Sequence, residues 1–172
     1  LRAELGARCP VLIGVFVNAS AEDAQHVMRV AGLDAAQLSG DESPGVVAAL
    51  AGVAIKALRP RSREEAAEAV AAYLPHLPQD ARLPSLLVDA YHKALYGGTG
   101  EAASLDVAFT VKERVPRLLL AGGLTPDNVA ERVRAIRPWG VDVASGVEDG
   151  QPGIKDIDRV RAFITAVRSG EE

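Results

Sequence analysis

LLLAGGLTPDNVAERVRAIRP, residues 118–138, places an apolar run, two glycines and a helical pattern in direct succession. The run over residues 117–121, apolar after Arg117, is short enough for a buried strand. Thr125-Pro126-Asp127 is a helix-start signal, and an amphipathic pattern follows it over residues 126–136. A solvated turn between the two needs one Gly, Asn or Asp. Gly122 and Gly123 together imply a backbone kept bare because something approaches it closely.

The same strand-to-helix alternation fills the chain. Strands are predicted over residues 11–17, 35–38, 53–58, 85–90, 117–121 and 141–144, and helices over 21–31, 44–51, 63–74, 105–114, 126–136 and 156–168. Each strand is a run of apolar residues, not an in/out alternation, which is how parallel strands covered on both faces read. Ser20, Ser43, Thr125 and Asp156 stand at helix starts, and Gly32, Gly52 and Gly170 where helix C-caps belong. Strand middles recur about every 20 to 30 residues, the footprint of one βα unit. The fold class is therefore parallel α/β. A (β/α)₈ barrel needs eight such units and usually about 250 residues. Six units in 172 residues are two short of it.

Composition narrows the classes of function. With 48% hydrophobic and 24% charged residues, the chain reads as one globular domain over residues 1–172. A net charge of −4 and the lack of any Lys/Arg block argue against nucleic acid as a partner. The single cysteine, Cys9, excludes an internal disulfide and a multi-cysteine zinc site, and fits a reducing cytoplasm. No apolar run approaches the roughly 18 residues needed to cross a bilayer, so no membrane role is expected.

Ligands of parallel α/β folds sit at the carboxyl ends of the strands. Gly122–Gly123 and Ser145–Gly146 close the last two strands. Bare N–H groups there, beside a helix start, make an anion site of the kind barrels place after their final strands; two tight turns are the plainer alternative. Asp89 follows Leu86-Leu87-Val88 directly, as an acid at the sheet end or as a helix cap. Asp142 and Lys56 sit in apolar strands, where an unpaired charge is costly, so each needs a ligand or an ion-pair partner. The segment Tyr96-Gly97-Gly98-Thr99-Gly100 reads as a glycine-rich loop. His26, His76 and His92 are scattered and suggest no metal cluster. Trp139 and Phe16 read as packing residues.

The stretch from LLLAGGLTPDNV through GVDVASGVEDGQPGIKD closely resembles the C-terminal part of phosphoribosylanthranilate isomerase, a small (β/α)₈ TIM-barrel enzyme of tryptophan biosynthesis. GVFVN, AAQLSGDES, IKALR, LLVDA and GGTG extend the likeness upstream in family order. The resemblance implies an Amadori rearrangement of a phosphorylated sugar substrate, with no cofactor and no metal. It implies that Asp89 is the general acid and that Gly122, Gly123, Ser145 and Gly146 grip the phosphate. Asp142 corresponds to a strand-end carboxylate near the substrate. Ala144 stands where Ser is common, and Ser39 where His is usual. The family's opening Lys-x-Cys-Gly strand, whose Cys is the general base, and its Ser-Pro-Arg segment are not found in residues 1–172. The expectation is an isomerase barrel incomplete at its N-terminus. A catalytically inactive phosphate-binding half-barrel and another sugar-phosphate barrel enzyme are the alternatives. The sequence leaves the oligomeric state open.

Overall fold

Six parallel strands pair in strict chain order: β1 (Ile13–Phe16), β2 (Ala35–Leu38), β3 (Ala54–Leu58), β4 (Leu86–Asp89), β5 (Leu118–Ala121) and β6 (Gly140–Val141). The computed structural model describes residues 2–50, 52–89 and 98–172, of which 98–104 are given as helical backbone. The helices are α1 (Arg2–Leu5), α2 (Ala21–Ala31), α3 (Pro44–Ala49), α4 (Arg63–Tyr73), α5 (Gly98–Lys112), α6 (Val129–Ile136) and α7 (Ile157–Glu171). Each neighbouring strand pair is joined through a helical segment, and the sheet never reverses its order. That is the winding of a barrel wall, not of a doubly wound sheet.

Strand register explains the continuous apolar runs. Successive side chains point to opposite faces. Phe16, Ala36, Leu38, Leu58, Leu86, Val88, Leu118 and Leu120 pack on the helices. Ile13, Ala35, Ile55, Ala57, Leu87, Leu119 and Ala121 pack together on the other face. Burying one such Leu fully stabilises the fold by about 1.5–3 kcal/mol. At the β1 end of the sheet the second face opens: Val15 is 64% and Val17 65% exposed.

Lys56 resolves one of the buried charges. It is in register with Leu38 and Leu86, so its side chain enters the helix layer. There Nζ donates to Glu42 Oε2 at 2.8 Å, to the Leu38 carbonyl at 3.2 Å and to the Gly40 carbonyl, and lies 5.9 Å from the Tyr73 ring centre. Glu42 Oε1 also accepts the Asn18 N–H at 2.7 Å, and Tyr73 Oη donates to the Glu42 carbonyl at 2.7 Å. The loops after β1 and β2 are thereby tied to β3 and to the end of α4 at one polar knot.

Several boundaries differ from the sequence reading. β6 stops at Val141, although the Asp142 N–H still donates to the Leu120 carbonyl at 2.8 Å. The chain leaves the sheet there to form a 3-10 turn over Ser145–Val147. α6 starts at Val129, because Thr125–Asn128 is a turn held by the Asn128 side chain. α5 begins at Gly98, earlier than read; Tyr96, Gly97 and His92 lie outside the described residues. Gly98 and Gly100 fall in the first turn, where the penalty of a helix-interior glycine is not fully felt. Gly32 caps α2 in the left-handed region at φ 66, as expected. Gly170 caps nothing: it lies within α7, where a Cβ would stand 2.6 Å from the Ala130 carbonyl of α6. Trp139 is 46% exposed and does not pack as read.

Candidate active site

Both glycine loops depend on backbone geometry that few residues tolerate. Gly122 and Gly123 follow β5 with φ of 100° and 60°, in the left-handed region that side chains resist. Asn128 fastens this loop: its Oδ1 accepts the Thr125 N–H at 2.9 Å, and its Nδ2 donates to the Gly123 carbonyl at 2.9 Å. Gly146 meets a different constraint. A Cβ on it would stand 1.8 Å from the Leu124 carbonyl oxygen. The loop after β6 is thus pressed onto the loop after β5, and glycine is what lets them touch.

The two loops form one wall of a cleft of about 260 Å³ at the carboxyl end of the sheet. Its lining is Asp89, Ala121, Gly122, Gly123, Leu124, Asp142, Val143, Ala144, Ser145 and Gly146. All six sequence-nominated residues meet here. Asp89 ends β4 in register with Ala121, and Asp142 follows β6 one strand further on.

The electrostatics of the cleft set its two carboxylates apart. Burial, and secondarily the negative charge of Asp89, push the Asp142 carboxyl up from its ordinary value. Asp89 has a cation beside it: Arg59 Nε lies 3.6 Å from Asp89 Oδ2. Of the two charges that needed a partner, Lys56 finds it in Glu42 and not in Asp142. The cleft can therefore hold an anion on backbone N–H groups while presenting a carboxyl pair at its edge.

Four further residues support this site and went unassigned in the sequence. Arg59 stands at the end of β3, and a charge at a strand end was its visible signal. Asn128 holds the first loop. Lys155 Nζ donates to the Ala144 carbonyl at 2.9 Å, and Arg159 Nη2 to the Gly146 carbonyl at 3.1 Å. Lys155 was legible only as part of the PGIKD motif. Among the described residues, no three of His, Cys, Asp and Glu come together as a metal-binding group. No helix among them is long and apolar enough to cross a membrane.

Comparison with known proteins agrees with this geometry. The family model described as N-(5'phosphoribosyl)anthranilate (PRA) isomerase matches residues 3–166. The N-(5'-phosphoribosyl)anthranilate isomerase of Roseiflexus sp. (strain RS-1) is 44% identical over 162 residues, covering 94% of this chain and 71% of the relative. The crystal structure of phosphoribosyl anthranilate isomerase from Thermotoga maritima superposes with a TM-score of 0.73 at 31% identity, covering 91% of this chain and 72% of that one. A phosphoribosyl anthranilate isomerase solved with reduced 1-(O-carboxyphenylamino)-1-deoxyribulose 5-phosphate superposes at 0.70 with 28% identity, over 91% of this chain and 70% of that one. With a match spanning nearly all its residues and a sheet wound in the same way, the chain belongs to the N-(5'-phosphoribosyl)anthranilate isomerase family.

Proposed function

We propose that this cleft binds N-(5'-phosphoribosyl)anthranilate and serves its Amadori rearrangement to 1-(2-carboxyphenylamino)-1-deoxyribulose 5-phosphate in tryptophan biosynthesis. The observation that carries the reading is the convergence of Asp89, Asp142 and both glycine loops on one 260 Å³ cleft. The phosphate sits on the N–H groups of the Gly122–Gly123 and Ser145–Gly146 loops. That anchor fixes the ribose against β4, where Asp89 protonates the ring oxygen. The ring C–O bond opens as the anilino nitrogen supplies its lone pair, giving a Schiff base. A base then takes the C2' proton, and the enolamine tautomerises to the ketone. Oxidation at C2' and reduction at C1' cancel, so the step needs no external oxidant or reductant and no cofactor. Holding both reacting centres by one phosphate anchor is catalysis by proximity.

Asp142, with its carboxyl pushed up by burial and secondarily by the charge of Asp89, takes up a proton more readily than an ordinary aspartate and stands beside the acid at the edge of the cleft. The base belongs on the opposite face of the sugar. The family's Lys-x-Cys-Gly segment is not among residues 1–172, so these residues by themselves bind substrate and turn it over poorly. A small phosphorylated substrate and an unbridged Cys9 fit a cytoplasmic enzyme.

Anthranilate fluorescence tests this directly. The 172-residue chain is expected to bind the substrate and its reduced product analogue, inorganic phosphate competing with both. Failure to bind either overturns the reading. Turnover comparable with a complete family enzyme overturns the claim about the base.

A further inference from the structure

Three polar side chains reach the carbonyl groups of the two glycine loops although none of them lines the cleft. Asn128 Nδ2 donates to Gly123 O at 2.9 Å, Lys155 Nζ to Ala144 O at 2.9 Å and Arg159 Nη2 to Gly146 O at 3.1 Å. A trans peptide is planar, and its N–H points opposite to its C=O. Drawing back the Gly123 and Ala144 carbonyls therefore turns the Leu124 and Ser145 N–H groups the other way, and both of those residues line the cleft. A carbonyl turned into the cleft would repel an anion; an N–H attracts it.

We propose that Asn128, Lys155 and Arg159 are positioning residues that set the peptide planes of the phosphate grip from behind. The inference rests on the phosphate reading of the cleft and assigns the PGIKD motif a task in it. Lys155 is itself held: Glu148 Oε1 accepts from Nζ at 2.8 Å and from the Gly153 N–H at 2.9 Å. The Lys155 ammonium, followed by the Gly153 N–H, keeps the Glu148 carboxyl below its ordinary value, so the pair is charged at neutral pH. Asp156, the last residue of the motif, caps α7 through the Asp158 and Arg159 N–H groups and so places Arg159 beside the loop. Behind the neutral Lys155–Glu148 pair, the Arg159 guanidinium adds a positive charge that also favours a phosphate dianion.

Titrating inorganic phosphate into the 172-residue chain, followed by calorimetry and by amide NMR, tests this. In the unaltered chain the Leu124 and Ser145 amide protons are expected to move downfield on binding. Lys155→Met is expected to lose the Ser145 shift and weaken phosphate binding about tenfold, as loss of a charge-assisted hydrogen bond behind the site predicts. Lys155→Arg, which keeps the donor, is expected to restore it in part. Asn128→Ala is expected to lose the Leu124 shift and leave the Ser145 shift in place. Arg168→Met removes the same charge from an exposed position on α7 and is expected to change neither. A Lys155→Met chain that melts normally and keeps both affinity and shift overturns the proposal. If Lys155→Met fails to fold, Asn128→Ala decides by the same two readouts. Absence of phosphate binding in the unaltered chain overturns the functional reading, and this inference with it.

Discussion

Gly146 and Leu124 belong to different loops, yet a Cβ added to Gly146 would stand 1.8 Å from the Leu124 carbonyl oxygen. That contact joins the two glycine loops that wall the cleft. No flexible side chain lies between them, so a methyl group has to be accommodated by moving backbone. Gly146→Ala is expected to cost about 2–3 kcal/mol of stability and to abolish measurable phosphate binding. Urea unfolding and phosphate calorimetry check both; an Ala variant that binds normally contradicts the contact.

The knot at Lys56 predicts a larger stability effect at residues that do not line the cleft. The Lys56 and Glu42 side chains are 4% and 1% exposed and 2.8 Å apart. Lys56→Met leaves Glu42 buried beside uncompensated carbonyls and is expected to cost about 3–5 kcal/mol. The double variant Lys56→Met with Glu42→Leu is expected to be no less stable than Lys56→Met alone, which a double-mutant cycle in urea would show.

The same pair sets an acid limit. Burial pushes the Glu42 carboxyl up, but the Lys56 hydrogen bond and the N–H groups around it outweigh this and hold it below its ordinary 4.5. A carboxyl lowered by folding stabilises fully above its unfolded value and loses that share as pH falls through its folded value. The urea midpoint should therefore drop as pH falls below 4.5 in the unaltered chain, and drop less steeply in Glu42→Gln.

Asp142 behaves with the opposite sign. Its carboxyl is raised from 3.8, so ionisation opposes folding as pH rises through the folded value, and the penalty is absent below 3.8. Asp142→Asn is expected to raise the urea midpoint slightly at neutral pH, because water at this exposed position screens most of the repulsion, and to tighten inorganic phosphate. Asp89→Asn is expected to bring the Asp142 carboxyl down only in part, because burial is the larger cause. Carboxyl carbon NMR across the acid range measures this; an Asp142 titration that ignores Asp89→Asn separates the two groups.

At the other edge of the sheet, Val15 of β1 and Val17 just after it are 64% and 65% exposed. An edge strand with outward valines invites pairing with another chain. Val15→Lys is expected to reduce concentration-dependent light scattering while leaving the melting temperature within a few degrees.

Six parallel strands, most of the helices and six of the ten residues lining the cleft were legible in the order of amino acids alone. Parallel strands buried on both faces leave uninterrupted apolar runs, so β2 could be read residue for residue. Bare glycines and lone carboxylates at strand ends are local signals of the same kind. The partners were settled only by packing. Lys56 took Glu42 from a loop 14 residues away, because β3 turns its side chain into the helix layer and not into the cleft. Gly170 proved to be a site of helix contact, set by Ala130 of α6 rather than by the end of α7. Asn128, Lys155 and Arg159 gained their meaning from carbonyl groups up to 13 residues earlier in the chain. Hydrophobic period is written along a chain, whereas which donor meets which carbonyl is fixed only when separate loops are packed together.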